Sequence, residues 1–426
     1  MAETHTDANG LVLAADGTPL KKSLNRALRA QKIRALLLIA PLLLFILISF
    51  VLPIGEMLLR SVQNKAGTSY VPDLIPNVVV TLEDWDPATG EMPPEAVYRA
   101  LAIDFAVAFE ERNHTQLGRR FNYETPGMSS LFRKSGRAVA GWDIETDGPF
   151  REAFLEIDED WGNIEYWATI QNNMGYYTGG YFLAAIDAQR TSEGVTMKDA
   201  DQRIYQKLMV RTLWLSFVIT ICALALGYPV AWLLADLPAR QSNLLLILVL
   251  LPFWTSLLVR TSAWKILLQN QGVINDFLTY LGLAERLALI NNQLGVIIAM
   301  THILLPFMIL PLYSVMKTIQ PTYLRAAKSL GATNTTAFMR VYFPQTTPGI
   351  GAGALLVFIL AVGYFITPEL VGGADGTFIS NRIYYQFSSS GNWGLAAALG
   401  TIMLAVVLLL YYIYDKLVGA DNLKLG

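Results

Sequence analysis

The residues best placed to do chemistry in this chain are not a catalytic set. They are the small and basic side chains of KTIQPTYLRAAKSLGATNTTAFMRVYFPQTTPG, residues 317–349. Arg325, Lys328 and Arg340 can give charge-assisted hydrogen bonds to a partner's carboxylates or carbonyls, Ala326, Ala327 and Gly331 admit another backbone closely, and Ala332 belongs to the same surface. Pro321 can open a helix at its first turn, where the missing amide hydrogen costs nothing. Gly331 supplies the freedom for a bend. A second short helix, from Asn334 or Thr335 to Arg340, is expected to end before Pro344. The spacing therefore predicts two short helices meeting at Gly331. By charge alone, the stretch also reads as a surface loop held to anionic lipid.

Other chemistries find little support. Cys222 is the single cysteine, so no internal disulfide or cysteine zinc cluster can form. His5, His114 and His302 are scattered, which argues against a histidine-built metal centre. No Gly-x-x-x-x-Gly-Lys-Ser/Thr sequence occurs, so the chain has no P-loop and is not expected to be an enzyme. No cofactor or metal is expected on it.

A second group lies within long apolar stretches. Trp254, Arg260, Tyr364 and Glu369 are candidates for a substrate path or gate, because separated ammonium groups are recognised by carboxylates and aromatic faces. Arg260 and Lys265 fit an outer gate equally well as snorkelling cations. Trp264 suits the interfacial belt, and His302 a hydrogen-bonded place in the core. Pro229, Pro252, Pro306 and Pro311 can each kink a helix.

The elements that position these residues follow from composition. The 426-residue sequence is 53% hydrophobic and 15% charged, where a soluble domain carries about a quarter charged residues. Its net charge of −2 gives no pull toward nucleic acid. A helix needs roughly 20 apolar residues to cross a bilayer, and runs of that kind fall at about 35–58, 208–234, 243–266, 294–316, 349–367 and 395–414. The fold class expected is an all-α polytopic membrane protein with six transmembrane helices. Lys21, Lys22, Arg26, Arg29, Lys32 and Arg34 place a cytoplasmic tail at 1–34 and the first helix at 35–59. Six crossings then put the loop 317–346, which has four bases and no acid, and the tail 417–426 inside as well.

Residues 60–207 interrupt the series and face outward. Between 61 and 205 there are 12 basic and 23 acidic side chains, and helical patterns appear at 94–112 and 149–170. This is read as a folded, acidic extracytoplasmic insertion. Asp158, Glu159, Asp160, Trp161, Glu165, Tyr166 and Trp167 could concentrate a cation or dock a protein, or form an ordinary solvated surface. The Asp158-x-Asp160-x-Gly162 spacing falls short of a calcium loop. Asn113-His114-Thr115 fits the glycosylation triplet.

Ala326-Ala327, Gly331 and the later Pro344 closely resemble the EAA loop of binding-protein-dependent ABC importers, with Arg325 in place of the motif's leading Glu. Pro252-Phe253-Trp254-Thr255-Ser256, Leu258-Val259-Arg260-Thr261, Ala263-Trp264, Gly272-Val273-Ile274-Asn275, Leu305-Pro306-Phe307-Met308-Ile309-Leu310-Pro311-Leu312-Tyr313 and Phe365-Ile366-Thr367-Pro368-Glu369-Leu370-Val371-Gly372-Gly373 look like spermidine/putrescine-type permeases. The likeness covers about 208–416 and the first helix, and the insertion has no counterpart in it. The resemblance implies the type I ABC permease fold in a bacterial inner membrane. It implies as partners two ATPase subunits, which would carry ATP and magnesium, a second permease and an extracytoplasmic solute-binding protein. The loop would be the coupling helix pair seated in an ATPase cleft. Polyamines or a related small organic cation would be the cargo. An opine, an amino-acid derivative or another nitrogen compound stays open, and a membrane-anchored receptor is the competing class.

Overall fold

The computed structural model describes residues 20–191, 194–283 and 285–418, and the chain divides into two compact units, 1–59 and 60–426. The first unit is helical from Leu20 onward, inside the segment expected to be the cytoplasmic tail. No Gly or Pro interrupts residues 20–40, so the helix of the first span (Gln31–Arg60) continues through Arg29, Lys32 and Arg34. The cytoplasmic placement expected for residues 1–19 and 419–426 lies outside the described residues.

Described helices long and apolar enough to cross a membrane are Gln31–Arg60, Ile204–Asp236, Gln293–Thr318, Asn334–Val362 and Trp393–Lys416, and a bent pair completes the series. In chain order these are the first, second, fourth, fifth and sixth spans. The second, fourth and fifth share a core built from Leu215, Ile219, Met300, Met308, Leu312 and Val357, all buried. Glycines let the helices close on one another. A Cβ at Gly353 would lie 2.8 Å from Met308 Sδ, and one at Gly351 2.8 Å from the Tyr414 ring. Such close approach is how apolar helices attract each other when lipid competes for their side chains.

Three expectations about helix ends are corrected. The third span is not one helix over 243–266. It is Ala239–Trp254 and Leu257–Leu267, bent by 93°. Pro252 starts a tight turn, Thr255 is extended, and the Ser256 hydroxyl caps the second half by accepting from Val259 N–H at 3.2 Å. A local cap is needed because lipid offers the freed amides no partner.

The second coupling helix does not stop before Pro344. Asn334–Ala337 runs through a wide π turn, Phe338–Tyr342, directly into Phe343–Val362. A π turn also precedes Pro53 in the first span, at Leu47–Val51. Both turns end two residues before the proline. The wider register moves the carbonyl that the ring would strike, so the helix passes the proline unbroken.

The fifth span ends at Val362, and Glu369 sits instead on a separate short helix, Ile366–Val371. Pro368 cannot donate to the Tyr364 carbonyl. Ser380 Oγ donates to it instead, and Asn381 Nδ2 serves the Phe365 carbonyl at 3.0 Å.

The insertion is helix-rich, with two small antiparallel hairpins, Lys65–Ala66 with Ser69–Tyr70 and Ala188–Thr191 with Gly194–Met197. The pattern read at 94–112 is the helix Glu95–Glu110. That at 149–170 divides into Phe150–Ile157, a tight turn at Glu159–Gly162, and Ile164–Asn172. Trp161 and Trp167 are fully buried with ring centroids 5.1 Å apart. Trp161 Nε1 donates to Ser135 Oγ at 2.8 Å. The aromatic members of the acid cluster are therefore core, and Asp158 pairs with Lys134 at the surface.

Arg120, 1% exposed, is tolerated because its donors are used. Nε reaches Asn64 Oδ1 at 2.8 Å, Nη1 Glu124 Oε1 at 2.9 Å and Nη2 Asn173 Oδ1 at 3.2 Å. The Asn113 side chain donates to Glu111, and His114 is buried. The insertion sits on the start of the sixth span. Tyr123 O–H donates to the Ser390 carbonyl at 3.1 Å, and a Cβ at Gly394 would lie 2.3 Å from the Tyr181 ring.

Candidate functional site

The loop between the fourth and fifth spans folds from local rules. Pro321 opens the helix Pro321–Ser329. Its end is a Schellman reversal. Gly331 N–H donates to the Lys328 carbonyl at 3.0 Å and Ala332 N–H to the Ala327 carbonyl at 3.1 Å. This geometry needs a left-handed residue, and Gly331 has φ +89°. Thr333 then caps the next helix, its hydroxyl accepting from Thr336 N–H at 3.2 Å. The helix, bend and helix expected at 321–340 are thus all present, with Gly331 at the bend.

Arg325, Ala326, Lys328, Gly331, Arg340 and Pro344 are exposed, while Ala327 and Ala332 are half-buried on the inner side of the reversal. Arg325, Lys328 and Arg340 make no ion pair among the described residues. The sequence reading missed the apolar part of this surface. Leu330 is 90% exposed, and Tyr323 and Met339 are also exposed. Leu330 is thrust outward because it immediately precedes the left-handed turn. An apolar residue next to a Gly that ends a short helix is a signal that could have found it.

Phe338 joins the loop to the membrane helices. Its ring lies 5.7 Å from Trp232 and 6.3 Å from Tyr228, both on the second span, and 5.6 Å from Tyr342. Lys317 Nζ donates to the Ala235 carbonyl at 3.1 Å, tying the end of the fourth span to the end of the second. The loop and the second span are therefore in contact through packed aromatic rings.

The second candidate group is only partly assembled. Arg260 lies on the second half of the broken third span, within electrostatic reach of His302 and Tyr364. Its Nε and Nη1 are buried without a hydrogen-bond partner. Thr261 and Thr367 hydroxyls share a hydrogen bond at 3.1 Å, which fixes this half-helix against the short helix carrying Glu369. Glu369 is exposed and accepts from Asn381 Nδ2 at 2.7 Å. No ion pair joins Arg260 to Glu369 among the described residues. Trp254 stands apart, 81% exposed at the break. Trp264 is half-buried and its Nε1 donates to His302 Nδ1 at 3.1 Å, while His302 is exposed rather than in the core as expected.

Over residues 213–420 the sequence matches the family described as binding-protein-dependent transport system inner membrane component. The spermidine/putrescine transport system permease protein PotB of Escherichia coli (strain K12) is 39% identical over 220 residues, covering 51% of this chain and 80% of that protein. The inner membrane ABC transporter permease protein YdcU of the same organism is 32% identical over 275 residues, covering 61% of this chain and 87% of that protein. A chain of a bacterial alginate ABC transporter, in complex with alginate pentasaccharide-bound periplasmic protein, is 18% identical with a TM-score of 0.44, covering 52% of this chain and 80% of that one.

Proposed function

This chain belongs to the family of binding-protein-dependent transport system inner membrane components, and we propose that within it the chain is one of two permease subunits of an ATP-driven polyamine importer. It is a multi-pass inner-membrane permease of the ABC importer class, a component of a system that works with a binding protein and an ATPase. The finer reading adds spermidine and putrescine as cargo, two ATPase subunits, a second homologous permease, and cytoplasmic N- and C-termini. The similarity to PotB supports the cargo. The bent loop at 321–340 is the observation that carries the mechanism.

In this mechanism the ATPase subunit receives Leu330, Arg325 and Lys328, and nucleotide binding moves the loop. Phe338 and Lys317 pass the movement to the second span, and the permease switches between inward and outward access. ATP and its magnesium ion act on the partner. Of the path residues, Glu369 and Tyr364 have the chemistry to attract an ammonium group. Arg260 has the same sign as a polyamine and acts as a barrier.

One observation favours a second cargo. The buried, unpartnered Nε and Nη1 of Arg260 fit a carboxylate, which an opine or amino-acid derivative carries and a polyamine lacks. The test is uptake of labelled putrescine, spermidine and a carboxylate-bearing amine by cells with and without this chain, partners present. Polyamine uptake that depends on the chain supports the first reading. Uptake of the carboxylate-bearing compound alone replaces it with the second.

A further inference from the structure

A cavity of about 530 Å³ lies where the insertion meets the sixth span, and none of Trp254, Arg260, Tyr364 or Glu369 lines it. Its wall carries Arg60, Lys65, Arg119 and Arg120 and no acid. In a segment with 23 acidic and 12 basic side chains this is a local reversal of sign. Arg120 is already committed, to Glu124 and two asparagines. Lys65 and Arg119 make no ion pair among the described residues. Lys65 rests its ammonium over the Tyr70 ring at 4.7 Å, and Arg119 is exposed. The cavity thus offers two cationic heads without acids and excludes a polyamine.

Its level in the membrane follows from the helices. Trp393 is the first residue of the sixth span, so the cavity opens at a bilayer face. The Arg60 guanidinium stacks over the Trp393 ring at 5.1 Å. An Arg and a Trp at helix ends are the residue types that anchor at the headgroup layer. Tyr123, Tyr181 and Trp393 complete the wall with rings that suit the glycerol and upper acyl region. The volume is within the range of small-ligand sites.

We propose that this cavity binds the phosphate of an anionic phospholipid headgroup, held by Lys65 and Arg119 with Arg60 and Trp393 at its membrane side. A bound lipid would then bridge the helix His114–Asn122, which carries Arg119, to the start of the sixth span. The insertion would be clamped to the permease by lipid as well as by the Tyr123–Ser390 hydrogen bond. Soluble phosphate shares the chemistry, but the position at the start of the sixth span and the aromatic wall select the lipid.

The test uses the full chain with its partner subunits, purified in mild detergent and examined by native mass spectrometry. The probes are phosphatidylglycerol, phosphatidylethanolamine, glycerol 3-phosphate and inorganic phosphate. Wild type is expected to retain phosphatidylglycerol in preference to phosphatidylethanolamine. Lys65→Glu with Arg119→Glu should weaken that retention roughly thirtyfold, the effect of losing about two base–headgroup contacts. Lys65→Arg with Arg119→Lys should keep it, as should Arg133→Glu, which alters a base outside the cavity. Near-native tryptophan fluorescence of each variant shows that the insertion is still folded. Equal retention of phosphatidylglycerol by wild type and the double charge reversal overturns the proposal. Binding of glycerol 3-phosphate or inorganic phosphate without phosphatidylglycerol also overturns it, in favour of a soluble anion.

Discussion

Substitution at Gly331 tests whether the loop acts through its bent shape. At φ +89° an L-residue is held in the left-handed region, at a cost of roughly 1–2 kcal/mol. A Cβ there would meet nothing within 4 Å, so Gly331→Ala adds backbone strain and no clash. That strain lowers the ratio of bent to unbent loop by about 5- to 30-fold. Gly331→Asn should cost less, since Asn tolerates this region. Gly331→Pro cannot adopt the angle and removes the N–H given to the Lys328 carbonyl, so the reversal is lost altogether. The assay is co-purification of the ATPase subunit together with solute uptake, with membrane insertion as the control. Both readouts should fall in the order Gly, Asn, Ala, Pro while insertion stays constant. Wild-type behaviour of the Pro variant would refute a docking role for the bend. Asn as damaging as Pro would show that something other than backbone geometry is at work.

Phe338→Ala should leave ATPase association near normal but lower uptake on the order of tenfold, because it removes two ring contacts to the second span at about 0.5–1.5 kcal/mol each. Uptake and nucleotide hydrolysis measured together check this, and hydrolysis persisting without transport is the expected signature. Arg325→Glu, which restores the motif's acid, breaks no ion pair among the described residues, so assembly and transport near the wild-type level are expected where the bent shape rather than the base at 325 docks the ATPase. A severe transport defect would show that the partner's cleft requires the base. The hydrogen bond from Lys134 is the main cause holding the Asp158 carboxyl below its usual range. The folded state therefore binds fewer protons than the unfolded one there, and the stabilisation is present above the ordinary Asp range and lost as pH falls through the depressed value. Asp158→Asn should flatten the acid limb of insertion unfolding, followed by tryptophan fluorescence against pH. An unchanged limb would remove this pair from the account.

Much of the protein is set by its sequence alone. Six apolar stretches in a chain this poor in charge leave helix as the only structure lipid permits. The Ala326-Ala327 to Gly331 spacing defines a short helix and its reversal because a Schellman end depends on local hydrogen bonds and one permissive residue. Proline positions, by contrast, misled. Pro344 was read as a stop, and only the folded backbone shows a π turn carrying the helix past it. Apolarity alone gives the third span no sign of a change of direction, and its 93° break is held by the Pro252–Thr255 turn, the Ser256 cap and the Thr261–Thr367 hydrogen bond. Trp161 and Trp167 stood among acids in the sequence, yet helix packing turned them into core while leaving Asp158 at the surface. Arg260 and Glu369 come from separate helices and Tyr364 from the turn before the Glu369 helix, and Lys65 and Arg119 line the cavity beside the sixth span from distant points in the chain. Composition and local hydrogen bonding determine which segments form and where they end. Which side chains of different segments face each other is decided by long-range packing, because that depends on rotation and crossing of helices that no local spacing records.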